Sequence, residues 1–108
     1  MQIYHLKSCD TCRKAIKALA DRGPELIEIR TTPVTRDQYA AWLADLGPET
    51  LINRKSTTWR GLSTDARAGD PLDLLQAHPT LMKRPIIVAG GVVYAGWTPA
   101  VRAALGLE

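Results

Sequence analysis

No stretch of the 108-residue chain approaches the ~18 consecutive apolar residues that a membrane helix needs, so no membrane span is expected. The opening run, Met1-Gln-Ile-Tyr-His-Leu-Lys7, has no apolar segment behind a basic one, and the expectation is a cytoplasmic chain without a secretory leader. Blocks of like charge are missing too. The 14 Lys and Arg residues exceed the 11 Asp and Glu residues by only +3, and the main basic positions are scattered: Lys7, Arg13, Lys14, Arg54, Lys55, Arg60, Lys83 and Arg84. That pattern makes no case for nucleic acid by itself and suits a small anionic substrate at least as well. Internal repeats, low-complexity tracts and linkers are also absent. With 45% hydrophobic and 23% charged residues, the composition is that of one globular domain over 1–108, and disorder is not expected.

Cysteine and histidine are scarce. Only Cys9, Cys12, His5 and His78 occur, with no second cysteine pair. A structural zinc site takes about four ligands, which these residues are poorly spaced to supply, so no metal is expected. In a reducing compartment, two cysteines three positions apart point to catalysis or metal binding before a structural staple. A pair of buried core cysteines is the remaining competing reading, since cysteine is among the most buried residue types.

The pattern of apolar residues supplies the elements. Residues 2–6 read as a strand. Ile16, Leu19 and Ala20 give one apolar face to a helix over about 11–22, ended by Gly23-Pro24, and residues 26–29 read as a second strand. Thr35 and Gln38 match a capping box, after which Tyr39, Trp42, Leu43 and Leu46 fall at i, i+3, i+4, i+7 before Gly47. Residues 48–53 form a further short helix. Asp70-Pro71 opens another, closed at His78-Pro79. Two β-rich runs, 85–88 and 92–95, flank Ala89-Gly90-Gly91 as a hairpin, and Thr98-Pro99 starts a last helix ended by Gly106. The order β-α-β, helices, β-β-α is that of a thioredoxin-like α/β fold with a helical insertion at about 35–78.

Cys9-Asp10-Thr11-Cys12 then stands at a strand-to-helix turn, where a C-x-x-C reads as a redox motif. The reactive species is the thiolate. The unpaired N–H groups and positive dipole end of a helix favour an anion at its first residue. Lys7, Arg13 and Lys14 add nearby positive charge, while Asp10 opposes it. Cys9 is expected to be the exposed attacker and Cys12, one turn in, the resolving thiol.

Arg84-Pro85 is the second signal. Pro85 stands at a strand start, where a thioredoxin-like fold places a cis-proline across from the nucleophile; a trans proline at a strand start is the alternative. Arg84 would then bring a planar, always-charged fork to the sulfur, suited to an oxyanion or carboxylate, unless it is a solvated surface arginine. Arg54 and Lys55 close the 48–53 helix and either enter the same cleft or complement the helix C-terminus. Residues 57–61, with Arg60, read as a loop. Trp42 belongs to a core stripe. His5 is taken as a strand residue with ordinary hydrogen bonds and His78 as a helix-ending residue.

Three separated segments resemble the arsenate reductase (ArsC) family, including its Spx and YffB branches: Cys9-Asp-Thr-Cys-Arg-Lys-Ala15, Leu51-Ile-Asn-Arg-Lys-Ser56 and His78-Pro-Thr-Leu-Met-Lys-Arg-Pro-Ile-Ile-Val88. The resemblance runs from about residue 3 to 105. It implies a thioredoxin fold with an inserted helical region and an oxidoreductase whose Cys9 attacks arsenate. Arginines matching Arg54 and Arg84 would stabilise the oxyanion, and glutathione with glutaredoxin would remove the product. Glutathione is thus implied as a co-substrate and not as a bound cofactor. The family's third arginine falls near Trp97, within Ala95-Gly96-Trp97-Thr98-Pro99, where a Gly-aromatic pair is closer to Spx and YffB. Cys12 is likewise absent from arsenate reductases proper and matches the Spx redox switch. The resemblance therefore implies a thiol-dependent reductase of arsenate or of a glutathione mixed disulfide. The alternative is an Spx-like regulator that binds RNA polymerase without turnover.

Overall fold

The computed structural model describes residues 1–107. They form two compact units, one made of residues 1–32 and 84–107 and the other of residues 33–83.

The first unit carries β1 (Gln2–His5), α1 (Asp10–Leu19), β2 (Glu25–Glu28), β3 (Ile86–Ala89), β4 (Val92–Ala95) and α7 (Pro99–Ala104). Its sheet runs β2-β1-β3-β4, with β1 parallel to β2 and the other pairs antiparallel. Parallel neighbours cannot be joined by a tight hairpin, and α1 supplies the crossover. The helix stops sooner than its apolar face suggests: a 3₁₀ turn, Ala20–Arg22, follows Leu19. Gly23, at φ 62°, adopts the left-handed conformation that closes the turn, its N–H bonding the Ala20 carbonyl, and Pro24 prevents continuation. The β3–β4 loop is two residues long. Gly90 and Gly91 both have positive φ (59° and 77°), the requirement of a type I′ hairpin turn. Ile3, Leu19, Ile87 and Leu105 form the buried centre, with Ile16, Tyr94, Trp97 and Val101 packed against it. Strand, helix and hairpin thus share one apolar cluster; of the face predicted for the first helix, Ile16 and Leu19 point into it, whereas Ala20, in the 3₁₀ turn, is exposed. This is the thioredoxin-like α/β fold.

The second unit is helical: α2 (Arg36–Leu46), α3 (Pro48–Leu51), α4 (Thr57–Arg60), α5 (Thr64–Arg67) and α6 (Pro71–Ala77). Thr35 Oγ1 accepts the Gln38 N–H, and Gln38 Oε1 accepts the Thr35 N–H at 3.0 Å, so the capping box is reciprocal. Asp70 caps α6 through the Leu72 N–H at 2.8 Å, with Pro71 at the first helical position. Tyr39 and Trp42 of the α2 stripe are buried, their rings edge to face at 6.2 Å, whereas Leu43 and Leu46 are only half-buried. Leu51, Ile52, Leu74, Leu75, Leu81 and Met82 are the other large buried apolar residues of this unit. The loop expected over 57–61 is instead a one-turn helix. Ser56 Oγ accepts the Trp59 N–H, and Ser63 repeats the device one turn later for α5. Short serine-capped turns have too few apolar positions to show a period, which is why spacing misses them.

Thr35→Ala removes the bond from the Gln38 N–H to Thr35 Oγ1 and leaves the Thr35 backbone N–H free to bond Gln38 Oε1. It is expected to lower stability by about 0.5–2 kcal/mol, measured by urea unfolding, with thiol reactivity unchanged.

Candidate active site

The antiparallel register Tyr4↔Ile86 puts the C-terminal end of β1 beside the N-terminal end of β3. The segment leaving β1 and the segment entering β3 therefore meet at one end of the sheet. On the first, the Cys9 N–H bonds the Leu6 carbonyl at 3.1 Å, turning the chain into α1. Cys9 is the N-cap of that helix, in extended conformation (φ −96°, ψ 113°). Its Sγ accepts the backbone N–H of Cys12 at 3.3 Å, and its carbonyl accepts the Arg13 N–H at 3.1 Å. A sulfur thus occupies the place where helices usually hold a Ser, Thr or Asp oxygen.

On the second segment, the Arg84–Pro85 peptide bond is cis and Pro85 is fully buried. The Gly96 N–H donates to the Pro85 carbonyl at 2.8 Å and ties this turn to the end of β4. Arg84 is half-buried and its guanidinium hydrogen-bonds the Cys9 sulfur.

These contacts set the acidity of the pair. Partial burial pushes the Cys9 thiol up. Hydrogen bonds from the Cys12 thiol and backbone, then the Arg84 hydrogen bond and charge, outweigh it and hold Cys9 below the ordinary thiol value. Cys12, fully buried, is pushed up to about 12 by burial first and then by its bond to the Cys9 sulfur and that sulfur's negative charge. One thiol is set to ionise and the other to stay protonated. Both cysteines are free.

The source of the positive charge differs from the sequence expectation. Arg84 is the cation among the leading causes that lower Cys9. Arg13 instead pairs with Asp10 and donates to the Lys7 carbonyl at 2.6 Å, which also neutralises the acid expected to oppose the thiolate. His5 differs as well: it is buried, and among the described residues its Nδ1 has no hydrogen-bond partner. His78 caps the end of α6. Trp97 is half-buried and packs on the core cluster of the sheet.

Arg54 belongs to the second unit. The helix expected to end with Arg54 and Lys55 ends at Leu51, so neither residue lies in a last turn to complement its dipole. The Arg54 guanidinium lies over the Trp59 indole, 5.5 Å from its centroid. Arg67, which no sequence pattern singles out, lies 5.6 Å from the same ring. Arg54, Trp59 and Arg67 share no helical or strand spacing, so no sequence period marks the grouping. Among the described residues no cluster of three or more His, Cys, Asp or Glu is placed to hold a metal ion, and no helix is long and apolar enough to cross a membrane.

A thioredoxin-like domain with a cysteine capping the first helix, next to a cis-proline, defines a class of thiol-bearing folds. Within it the chain belongs to the ArsC family, whose family model matches residues 4–104. It is 35% identical over 101 residues to an uncharacterised protein of Haemophilus influenzae, covering 88% of this chain and 89% of that one. It is 33% identical over 93 residues to the arsenate reductase of Escherichia coli K12, and 33% identical over 88 residues to the global transcriptional regulator Spx of Streptococcus pyogenes. Those matches cover 80% and 75% of this chain but only 66% of each relative. Among solved structures, a YffB protein superposes with a TM-score of 0.87 at 29% identity, covering 95% of this chain and 96% of that one. Family and fold together support a reductase-like enzyme.

Proposed function

We propose that the protein is a thiol-dependent reductase in which the Cys9 thiolate attacks arsenate or a glutathione mixed disulfide. The observation that carries this reading is the cysteine-capped N-terminus of α1, where Cys9 takes hydrogen bonds from Cys12 and Arg84 and its acidity is raised. Arg84 holds the negative charge of the sulfur and of the incoming oxyanion or carboxylate, and Pro85 shapes the same turn. Arg54 is assigned a part in substrate binding by the family pattern. The working compartment is the reducing cytoplasm, which keeps both cysteines as thiols.

With a mixed disulfide GS–SR, the Cys9 thiolate attacks the glutathione sulfur. A Cys9–glutathione disulfide forms and RS⁻ leaves, taking up a proton. The Cys9 charge and its hydrogen bond, two of the causes that hold the Cys12 proton, vanish in that step. Cys12 then gives up its proton to the departing sulfur and attacks Cys9. The Cys9–Cys12 disulfide forms, glutathione leaves as thiol, and an external dithiol such as glutaredoxin returns the two electrons. With arsenate, the thiolate displaces hydroxide from arsenic, which leaves as water after protonation. A glutathione thiolate then attacks Cys9 sulfur, and the S–As electron pair reduces As(V) to As(III), leaving a Cys9–glutathione disulfide.

The Cys12→Ser variant separates the steps. Treated with glutathione disulfide, it is expected to accumulate one glutathionyl group on Cys9 by mass spectrometry. The wild-type chain is expected to pass on to an intramolecular disulfide, two hydrogens lighter. A wild-type chain that keeps the adduct, or a Cys12→Ser chain with no adduct on Cys9, contradicts the assignment. Turnover with arsenate and glutathione, with and without glutaredoxin, then ranks the two substrates.

The C-x-x-C pair also favours a second reading, since one relative is the regulator Spx. There the Cys9–Cys12 disulfide would be the signal and RNA polymerase the partner. Direct binding to the polymerase with no thiol turnover supports the regulator; thiol-dependent turnover supports the enzyme.

A further inference from the structure

Three arginines gather around Trp59, and their partners differ. Arg67 is tied down by the backbone: Nε donates to the Trp59 carbonyl at 3.2 Å and Nη2 to the Arg60 carbonyl at 3.3 Å, while its guanidinium lies over the indole. Arg60 bonds the Lys55 carbonyl at 2.8 Å and so closes the 55–60 turn. The Trp59 backbone N–H donates to Ser56 Oγ at 3.1 Å. Arg54 is the exception. Among the described residues its guanidinium has no hydrogen bond and no ion pair; its contact is the Trp59 ring, 5.5 Å away. A guanidinium stacked on an aromatic face gives up none of its N–H groups, which lie in its own plane. The ring therefore fixes an exposed arginine while leaving the whole donor fork for an anion.

We propose that Trp59 is the positioning residue of Arg54. The indole, with Arg67 also over its ring and its backbone capped by Ser56, holds the Arg54 fork ready for the anionic group of the substrate. This rests on the assignment of Arg54 to substrate binding made above. Pre-ordering the fork lowers the side-chain entropy lost on binding, so it acts on substrate affinity more than on the chemical step.

The test measures KM and kcat with the mixed disulfide of glutathione and 2-mercaptoethanol for wild type, Trp59→Leu, Trp59→Phe, Arg54→Ala and the Trp59→Leu/Arg54→Ala pair. The Arg54 Nε–H resonance is followed by NMR in the first three. In Trp59→Leu, KM is expected to rise about two- to fivefold with kcat nearly unchanged. The Arg54 resonance should lose its ring-current shift. Trp59→Phe should restore both, and Trp59→Leu should add nothing to Arg54→Ala. An unchanged KM in Trp59→Leu beside a raised KM in Arg54→Ala overturns the positioning role and leaves the substrate role of Arg54 standing. An unchanged KM in Arg54→Ala overturns both, while loss of turnover in Cys9→Ser still upholds the thiol chemistry. Strictly additive effects of the two changes also overturn it.

Discussion

Replacing Cys9 by serine is expected to remove thiol-dependent turnover altogether, a loss of at least about a thousandfold and limited by assay background. Serine does not ionise near neutral pH, and its oxygen forms neither a disulfide nor an equivalent adduct at arsenic that glutathione can resolve. The same substitution is structurally mild. Cys9 is the N-cap of α1, its side chain accepting the Cys12 N–H, and serine is among the preferred residues for that role. Thermal stability should therefore hold or rise slightly. Turnover and melting temperature measured on one preparation separate a chemical role from a packing role. A stable Cys9→Ser protein with wild-type turnover would place the reaction elsewhere.

Arg84→Ala is expected to produce the second largest effect, a ten- to hundredfold fall in kcat/KM, since a charge-assisted hydrogen bond contributes about 1.5–3 kcal/mol. Two causes combine. The Cys9 thiolate loses the hydrogen bond and charge that help to lower its pKa, so the pH–rate profile shifts upward. The substrate anion loses a planar fork. Arg84→Lys should recover the charge but not the bidentate geometry, and so rescue only part of the activity. Loss with arsenate alone supports the arsenate reductase reading, and loss with the mixed disulfide alone supports the thiol reductase. Wild-type activity of both variants with both substrates would remove Arg84 from the site. The position of Trp97 bears on the same choice. It packs on the core of the sheet, at the position where the resemblance would put a third arginine.

The two cysteines also couple stability to pH with opposite signs. Cys9 is held below its ordinary value, so its contribution is present above that value and is lost as pH falls through the lowered pKa. Cys12 is held above its ordinary value, so its contribution is full below ~8.5 and is lost as pH rises toward about 12.

Much of this arrangement was legible before any coordinates. The β-α-β opening, the Thr35 capping box, the Asp70-Pro71 start and the hairpin at Gly90-Gly91 each rest on local rules, and the structure obeys them. The burial contrast between Cys9 and Cys12 follows from Cys12 lying on the same helix face as Ala15 and Leu19, which meets the core, while Cys9 stands at the cap. The meeting of Arg84 with Cys9 was expected only through the fold, which sets a cis-proline across from the nucleophile; no local pattern records the antiparallel register of β3 against β1 that produces it. Arg13 turned out to serve Asp10 and the Lys7 carbonyl instead of the thiolate, a matter of side-chain direction. The buried His5 Nδ1 was hidden for the same reason: a strand position predicts burial but not hydrogen-bond partners. The stack of Arg54 and Arg67 on Trp59 joins residues from a loop and two one-turn helices, elements too short to carry a period.

The most direct test of the activated thiolate is the pH dependence of Cys9 alkylation in the reduced protein, read by brief iodoacetamide pulses and peptide mass spectrometry. The thiolate is the reacting species, so the midpoint of the rate profile is the Cys9 pKa. A midpoint clearly below the ordinary thiol value of ~8.5 is expected, with Cys12 unreactive across the same range. A Cys9 midpoint at or above ~8.5, or a Cys12 that reacts first, would contradict it.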